Sequence, residues 1–162
     1  MEIPGYKVGK ELGRGGMATV YLAVQSSFDR KVAVKVLDAE AASDHDLASR
    51  FIREAKIVAQ LSHPHIVSVY DVGQQNNLFF MSMDYLAGGS LPERIEQGIE
   101  KADVIRIVSQ IASALSCLHD NGYIHRDIKP DNIMFRADNS AVLTDFGVAR
   151  SQNAGEGLTQ VG

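Results

Sequence analysis

The chain has 162 residues, of which 45% are hydrophobic and 22% are charged, and its formal net charge is −4. These values are typical of a folded globular protein, and the acidic balance provides no basic face for nucleic acid. The single cysteine, Cys117, cannot form an internal disulfide, which indicates a reducing, cytoplasmic compartment. The N-terminus lacks the apolar core of a signal peptide, and no stretch approaches the length of a transmembrane helix.

The first third of the chain predicts β-strands, with a turn at Phe28-Asp29-Arg30. The predicted strands are Tyr6–Leu12, which is mixed apolar and charged, and the β-branched stretches Thr19–Val24 and Lys31–Leu37. In the last of these, alternation puts Lys35 on the same face as Ala33 and Leu37, which is unusual for a solvated side. The pattern indicates a cation that points into a cleft and needs an acidic partner.

A helix is predicted next, over Asp44–Leu61, because its apolar residues recur at helical spacing. Ser43 or Asp44 can cap its start, and His63-Pro64 is expected to end it. Glu54 on this helix can supply the partner for Lys35, since a Lys–Glu pair holds a phosphate-binding ammonium in place. The alternative is an exposed lysine and an unrelated surface glutamate.

The remaining chain changes from strand to helix near Gly88. Strands are predicted at Ile66–Val72 and Leu78–Met83 around a Gly73–Asn77 turn, helices at Leu91–Gln97 and Asp103–Asn121, and short strands at Ile133–Arg136 and Ala141–Thr144. We therefore predict an α+β protein with a β-rich lobe over residues 1–87 and a helical lobe over residues 88–162.

A glycine loop, "LGRGGMATVYLAV", joins the first two predicted strands. Leu12, Gly13 and Gly15 lie in it, and glycines let backbone amides approach a phosphate without a Cβ in the way. The loop leads into a strand rather than a helix, so it fits a β-hairpin lid over phosphates better than a dinucleotide-binding turn. An ordinary glycine hairpin is the alternative.

The predicted catalytic and metal-binding residues lie in the stretch "YIHRDIKPDNIMF" and in Asp145-Phe146-Gly147, which follows it. Phosphoryl transfer needs alignment and charge neutralisation more than covalent help. Asp127 would accept the proton of the attacking hydroxyl, and Lys129 would reach the γ-phosphate of ATP. Asn132 and Asp145 would hold Mg²⁺, or alternatively Mn²⁺, through oxygen ligands that suit a hard cation.

With these motifs, the sequence resembles the eukaryotic-type (Hanks-type) protein kinases, in the bacterial serine/threonine branch of signalling kinases. The resemblance runs from residue 6 to the end, and the opening 25 residues are also similar to kinases that regulate bacterial type VI secretion. It implies a two-lobed kinase-like fold, with a complete N-lobe of five antiparallel strands plus one helix and a partial helical C-lobe. The implied activity is transfer of the ATP γ-phosphate to serine or threonine of a protein.

The family also implies how ATP would be held. The adenine would lie between Val20 and Ala33 on one side and Met134 on the other. Met83 matches the gatekeeper position, and Asp84 to Leu86 match the hinge whose backbone bonds the adenine.

Regulation by phosphorylation is implied as well. In the family, an arginine such as Arg126 pairs with a phosphate on the activation loop. Thr159 lies where bacterial relatives often autophosphorylate, and it is the expected site here.

Two other functions are alternatives to protein phosphorylation. A pseudokinase, binding ATP or serving as a scaffold, usually lacks the lysine, the catalytic aspartate or the metal-binding aspartate, and all three are present. A small-molecule kinase of related fold is disfavoured by the serine/threonine-type "DIKPDN" loop.

The end of the sequence predicts a truncated kinase domain. The helix predicted over Asp103–Asn121 is apolar nearly all round, so it requires packing partners on several sides. No later segment has helical periodicity, and the A-P-E motif is absent. We therefore expect an exposed apolar patch that favours self-association, and weak or no activity on protein substrates. A parent protein could carry a membrane anchor downstream.

Overall fold

The computed structural model of the chain describes residues 1–75, 78–146 and 150–151. The described residues form two compact units. The first comprises Met1–Ser62 and Val67–Ala87, and the second comprises His63–Ile66 and the described residues from Gly88 onward. The α+β class and the kinase-like arrangement of a five-stranded antiparallel sheet followed by a helical region are confirmed.

The first unit is built on one antiparallel sheet. Its strands are β1 (Tyr6–Arg14), β2 (Ala18–Gln25), β3 (Arg30–Leu37), β4 (Val69–Gln75) and β5 (Leu78–Asp84), in the spatial order β1-β2-β3-β5-β4. The β2–β3 turn occupies residues 26–29, so Arg30 begins β3 instead of ending the turn as predicted. Asp29 adopts a φ of 47°, a conformation that aspartate tolerates better than most residues.

Both faces of the central strand β3 carry buried residues, and the alternation predicted for β3 is confirmed. Val32, Val34 and Val36 pack on one face with a cluster completed by Ile3, Tyr6, Ala23 and Phe80. Leu37 on the other face joins Met81 and the apolar side of the following helix, in a cluster completed by Ala41, Ala48, Phe51 and Ala55. Lys35 belongs to this second face, where it is half-buried.

Two helices, rather than the single one predicted, follow β3. The short α1 (Ala39–Ser43) was not predicted, and α2 covers His45–Ala59. Asp44 caps α2, since its Oδ1 accepts the N–H groups of Asp46 and Leu47 at 2.9 and 3.2 Å. The helix ends at Ala59, before the predicted Leu61, so His63-Pro64 does not terminate it.

The predicted strand at Ile66–Val72 begins too early. Strand β4 starts at Val69, while Ile66 pairs in parallel with Leu143 in the second unit. The predicted Gly73–Asn77 turn is also wrong in its first half, because residues 73–75 continue β4 and pair with β5. Asn76 and Asn77 lie outside the described residues.

The second unit contains two helices and short strands. They are α3 (Leu91–Gln97), α4 (Lys101–Asp120), β6 (Tyr123–Ile124), a 3₁₀ turn (Pro130–Asn132), β7 (Ile133–Phe135), β8 (Ala141–Leu143) and β9 (Arg150–Ser151). A capping box explains the start of α3: Ser90 Oγ accepts the N–H of Glu93, and Glu93 Oε2 accepts the N–H of Ser90. Helix α4 ends at Asp120 rather than at the predicted Asn121, which is its C-cap and is followed by Gly122 at a φ of 77°.

The β7–β8 ribbon organises this unit. Gly88 N–H donates to Phe135 O at 2.8 Å and Phe135 N–H donates to Gly89 O at 2.9 Å, so residues 88–90 lie along β7 as an extra edge. On the other edge, Leu143 N–H donates to His65 O at 2.9 Å. Segments 63–66 and 88–90 therefore flank the same ribbon, whose two strands lead out of Asn132 and into Asp145.

Helix α4 buries one stripe and exposes another. Its buried stripe consists of Ile107, Ile111, Ala114 and Leu118. On its other side Val104, Ile105 and Val108 are 46%, 71% and 61% exposed, which confirms the predicted apolar patch. Within the described part of the chain, no helix combines the length and apolarity needed to cross a membrane.

Candidate functional site

The glycine loop of the first unit is a tight hairpin between β1 and β2. Gly15 N–H donates to Ala18 O at 2.8 Å, and Gly13 pairs with Val20 across the strands. A Cβ added at Gly13 would meet nothing within 4 Å, so backbone there stands clear of the protein. Leu12, at the start of the loop, is exposed. The predicted strand-loop-strand context of the loop is confirmed, and its contact with phosphate stays a prediction.

Strand β3 brings together the side chains predicted for nucleotide binding in this unit. Across β2, β3 and β5, one row runs Val20, Lys35, Met81 and the next runs Leu22, Ala33, Met83. Directly opposed residues of antiparallel strands share a face, so Val20, Ala33, Lys35 and Met83 lie on one side of the sheet. Glu54 is half-buried on α2, the helix that packs on this same face. The Lys35–Glu54 pair itself remains a prediction.

The segment predicted to serve as the hinge starts at the end of β5. Asp84 N–H donates to Ser68 O at 3.0 Å, and Tyr70 Oη donates to Asp84 Oδ1. The Asp84 N–H is therefore committed to Ser68, and the bonding of adenine by this segment stays a prediction. Leu86, two residues on, is buried at 7% exposure.

The catalytic loop of the second unit places Asp127 and Lys129 in contact. Lys129 Nζ lies 2.8 Å from Asp127 Oδ2, with both side chains about half exposed. The lysine bond first, and the Asn132 bond second, hold the pKa of the Asp127 carboxyl below its ordinary value. The same contact raises the pKa of Lys129. Arg126, just before, has a φ of 68°, so the chain bends sharply into Asp127. At neutral pH the pair is a carboxylate facing an ammonium.

Asn132 is buried at 4% exposure and is oriented by Asp127. Its Nδ2 donates to the main-chain O of Asp127 at 2.8 Å and to Oδ2 at 3.0 Å. With Nδ2 committed to Asp127, the amide presents Oδ1 on its opposite side. The 3₁₀ turn and the Asn132 N–H bond to Lys129 O, 3.1 Å, fix the backbone in this position.

Asp145 follows β8 and adopts a φ of 50°. It is exposed, and its charge contributes to raising the pKa of Lys129. An amide oxygen of Asn132 and a carboxylate are hard donors that suit Mg²⁺, which usually takes one or two protein ligands beside phosphate oxygens and water. The described residues contain no cluster of three or more His, Cys, Asp or Glu side chains that could hold a metal alone. Asn132 and Asp145 therefore fit a metal that arrives with a phosphate.

His125 ties the catalytic loop to the end of β8. Its Nε2 donates to Thr144 O at 3.0 Å, its Nδ1 accepts the Asp127 N–H at 3.3 Å, and its ring packs on Phe146 at 4.8 Å between centroids. Burial lowers the pKa of this histidine, which agrees with a neutral ring that accepts at one nitrogen. Thr144 was missed by the sequence reasoning, although a polar residue between a buried strand and Asp145 was a usable signal.

The second unit thus brings Asp127, Lys129 and Asn132 together, with Asp145 in electrostatic range of Lys129. Met134 is half-buried on β7, two residues after Asn132. Thr159 and Gly147 lie outside the described residues, so the predicted phosphorylation site and the last residue of the Asp-Phe-Gly triplet have no structural account.

Comparison with known proteins gives a consistent match. The protein kinase domain model matches residues 6–162. A probable serine/threonine-protein kinase of Clostridium acetobutylicum is 43% identical over 150 residues, which are 91% of this chain and 23% of the relative. Serine/threonine-protein kinase PrkC of Bacillus subtilis is 40% identical over 146 residues, 89% of this chain and 22% of the relative.

A mycobacterial relative covers nearly the whole chain. Serine/threonine-protein kinase PknJ of Mycobacterium tuberculosis is 39% identical over 163 residues, 98% of this chain and 28% of the relative. The chain thus spans about a quarter of the length of the curated relatives it matches.

Proposed function

The chain belongs to the protein kinase family, and on that premise we propose that its protein is a serine/threonine protein kinase that transfers the γ-phosphate of ATP to a protein hydroxyl. The contact that carries the proposal is the Asp127 carboxylate held by Lys129 at 2.8 Å and Asn132 at 3.0 Å. A carboxylate fixed by a cation and an amide can orient a hydroxyl, and phosphoryl transfer depends on such positioning.

In this proposal each residue of the second unit has one task. Asp127 receives the hydroxyl of the substrate, directs its oxygen and accepts its proton as the new bond to the γ-phosphorus forms and the bond from that phosphorus to the bridging oxygen of ADP breaks. Lys129 neutralises charge on the transferred phosphoryl group. Asn132 and Asp145 hold a divalent ion, Mg²⁺ or Mn²⁺, which supplies charge neutralisation at the phosphates when bound. The lowered pKa of Asp127 makes it a weak base, so orientation is its larger contribution.

The first unit would bind the nucleotide. The glycine loop offers backbone N–H groups to phosphate, and Lys35 offers a charge, with Glu54 as its proposed partner. Val20, Ala33 and Met83 would contact the adenine from the sheet, and the Asp84–Leu86 backbone would bond its edge.

The test is label transfer from γ-labelled ATP to a generic serine- and threonine-rich basic protein, using the full-length protein. Asp127→Asn should abolish label transfer while nucleotide binding persists. Lys35→Met should lose most of the label transfer. Lys31→Met is the matched control, since Lys31 lies exposed on the same strand and its loss should leave transfer unchanged. ATP binding without transfer would identify a pseudokinase, and transfer restricted to a small acceptor would identify a small-molecule kinase.

We further propose a cytoplasmic site of action and autophosphorylation at Thr159. Mass spectrometry of the protein after incubation with ATP and Mg²⁺ should find phosphate on Thr159. The Asp127→Asn variant should carry none, because the modification is self-catalysed. Phosphate on other residues but never on Thr159 would refute the assignment.

A further inference from the structure

Thr144 makes two hydrogen bonds to one carbonyl oxygen. Its N–H donates to Asn132 O at 2.9 Å, and its Oγ1 donates to the same oxygen at 3.2 Å, with the side chain 6% exposed. The first bond continues the ladder of β7 and β8. The second bond is made by the side-chain hydroxyl, so a residue without a hydroxyl at this position would not form it.

These bonds close a ring through the catalytic loop. Thr144 O accepts His125 Nε2 at 3.0 Å, and His125 Nδ1 accepts the N–H of Asp127 at 3.3 Å. Asn132 Nδ2 returns to Asp127 through the two bonds described above. Each of the four residues is bonded to two others, so a shift of one disturbs both of its neighbours.

Directly after Thr144 the backbone turns into the left-handed region. Asp145, the next residue after Thr144, has a φ of 50°, in the left-handed region that aspartate tolerates better than most residues. The double tether of Thr144 to Asn132 is the attachment immediately before that turn. It therefore bears on where the Asp145 carboxylate stands relative to Asn132.

We propose that Thr144 is a positioning residue for phosphoryl transfer, and that its hydroxyl sets the spacing between Asn132 and Asp145. The inference rests on the proposed function, which assigns these two side chains to a divalent ion. Thr144 acts through Asn132 and Asp145.

The experiment compares Thr144→Val, which keeps the shape but removes the hydroxyl, with Thr144→Ser, which keeps the hydroxyl. Mn²⁺ binding to the full-length protein in the presence of ATP is measured by electron paramagnetic resonance, beside kcat and the melting temperature. We expect Thr144→Val to weaken Mn²⁺ binding and lower kcat by about 3- to 10-fold, from the loss of one hydrogen bond. Thr144→Ser should stay within about 2-fold of the wild type on both measures.

Equal behaviour of the two variants, or wild-type Mn²⁺ affinity in Thr144→Val, would overturn the proposal. A loss that disappears on assay well below the melting temperature would do the same, since it would reflect stability alone. If Thr144→Val does not fold, Thr144→Cys replaces it with a weak donor of similar size. An inactive wild-type protein would refute the proposed function, whereas an active one with an unchanged valine variant would refute this inference alone.

Discussion

Asn132 and Asp127 are joined by two hydrogen bonds from one amide nitrogen, at 2.8 Å to the main-chain oxygen of Asp127 and 3.0 Å to its Oδ2. The amide thereby fixes the backbone and the carboxylate of Asp127 together. Its own carbonyl oxygen is turned to the opposite side, where a metal could use it.

Replacing Asn132 with aspartate separates its role as a hydrogen-bond donor to Asp127 from its role as an oxygen ligand for a metal. Asn132→Asp keeps an oxygen for a metal but loses both donors and places a second carboxylate against Asp127. We expect kcat to fall by about 10- to 100-fold, because hydrogen bonds to charged groups are the stronger ones. Steady-state kinetics measure this, with the exposed neighbour variant Asp131→Asn as the control. An unchanged kcat in Asn132→Asp would mean that the amide does not orient Asp127.

The pH dependence of activity should show no acid limb from Asp127 in the usual assay range. Its pKa lies below the ordinary aspartate value of ~3.9, so the carboxylate stays ionised from pH 8 down to pH 5. The active, ionised form is lost only as the pH falls below that ordinary value. A profile of kcat/KM against pH checks this. If the wild type shows an acid limb between pH 5 and 7 and Lys129→Met moves that limb to higher pH, the limb belongs to Asp127. Its pKa would then not be held as low as the structure indicates.

His63 should make the stability of the protein depend on pH. Its Nδ1 accepts the His65 N–H at 3.2 Å and its Nε2 donates to Ser113 Oγ at 3.0 Å, so the fold binds a neutral ring. Burial, and secondly the nearby His65, lower its pKa. The folded state thus binds fewer protons than the unfolded state, and the free energy of unfolding should fall as the pH drops through ~6.5.

Urea unfolding at pH 8 and pH 5.5 measures this dependence. His63→Gln should reduce the difference between the two pH values, because it removes the titrating ring. The exposed His45→Gln should leave the difference as in the wild type. Equal pH dependence in all three proteins would rule out His63 as a contributor.

Gly88 should not accept a side chain. A Cβ there would lie 2.4 Å from Arg136 O and 2.9 Å from Phe135 Cβ, against the backbone of the β7–β8 ribbon. We expect Gly88→Ala to cost about 1–3 kcal/mol of unfolding free energy, the usual penalty of overpacking. Gly16→Ala, whose added Cβ would meet nothing within 4 Å, is the control. Chemical denaturation compares the two, and equal stabilities would contradict the close approach of segment 88–90 to β7.

The exposed apolar side of α4 should promote self-association of the 162-residue chain. Ile105 and Val108 are 71% and 61% exposed, so the double variant Ile105→Lys/Val108→Lys removes apolar surface without disturbing the core. We expect sedimentation velocity to find less association in the variant at unchanged melting temperature. Ile107 lies on the buried stripe at 4% exposure, so Ile107→Lys should instead disrupt the packing of α4. A monomeric wild-type chain at high concentration would contradict the prediction.

The sequence by itself determined the elements whose cause is local. Alternation specified β3 and the face of Lys35, helical periodicity specified α2 and α4, and the Ser90/Glu93 capping box begins α3 where it was predicted. The motif order also pointed to Asp127, Lys129 and Asn132, because residues this close along the chain can be related by a single loop.

The tertiary structure decided what depends on residues far apart in the chain. The residues around Ile66 predict that it starts a strand. In the structure, segment 63–66 binds the edge of β8 through the His65–Leu143 hydrogen bond. Thr144 reads as the last residue of a strand, yet its two bonds to Asn132 and its bond from His125 span 12 and 19 residues. Local propensity carries no information on such pairings, since each is formed only when the ribbon, the catalytic loop and the backbone turn at Asp145 are assembled together.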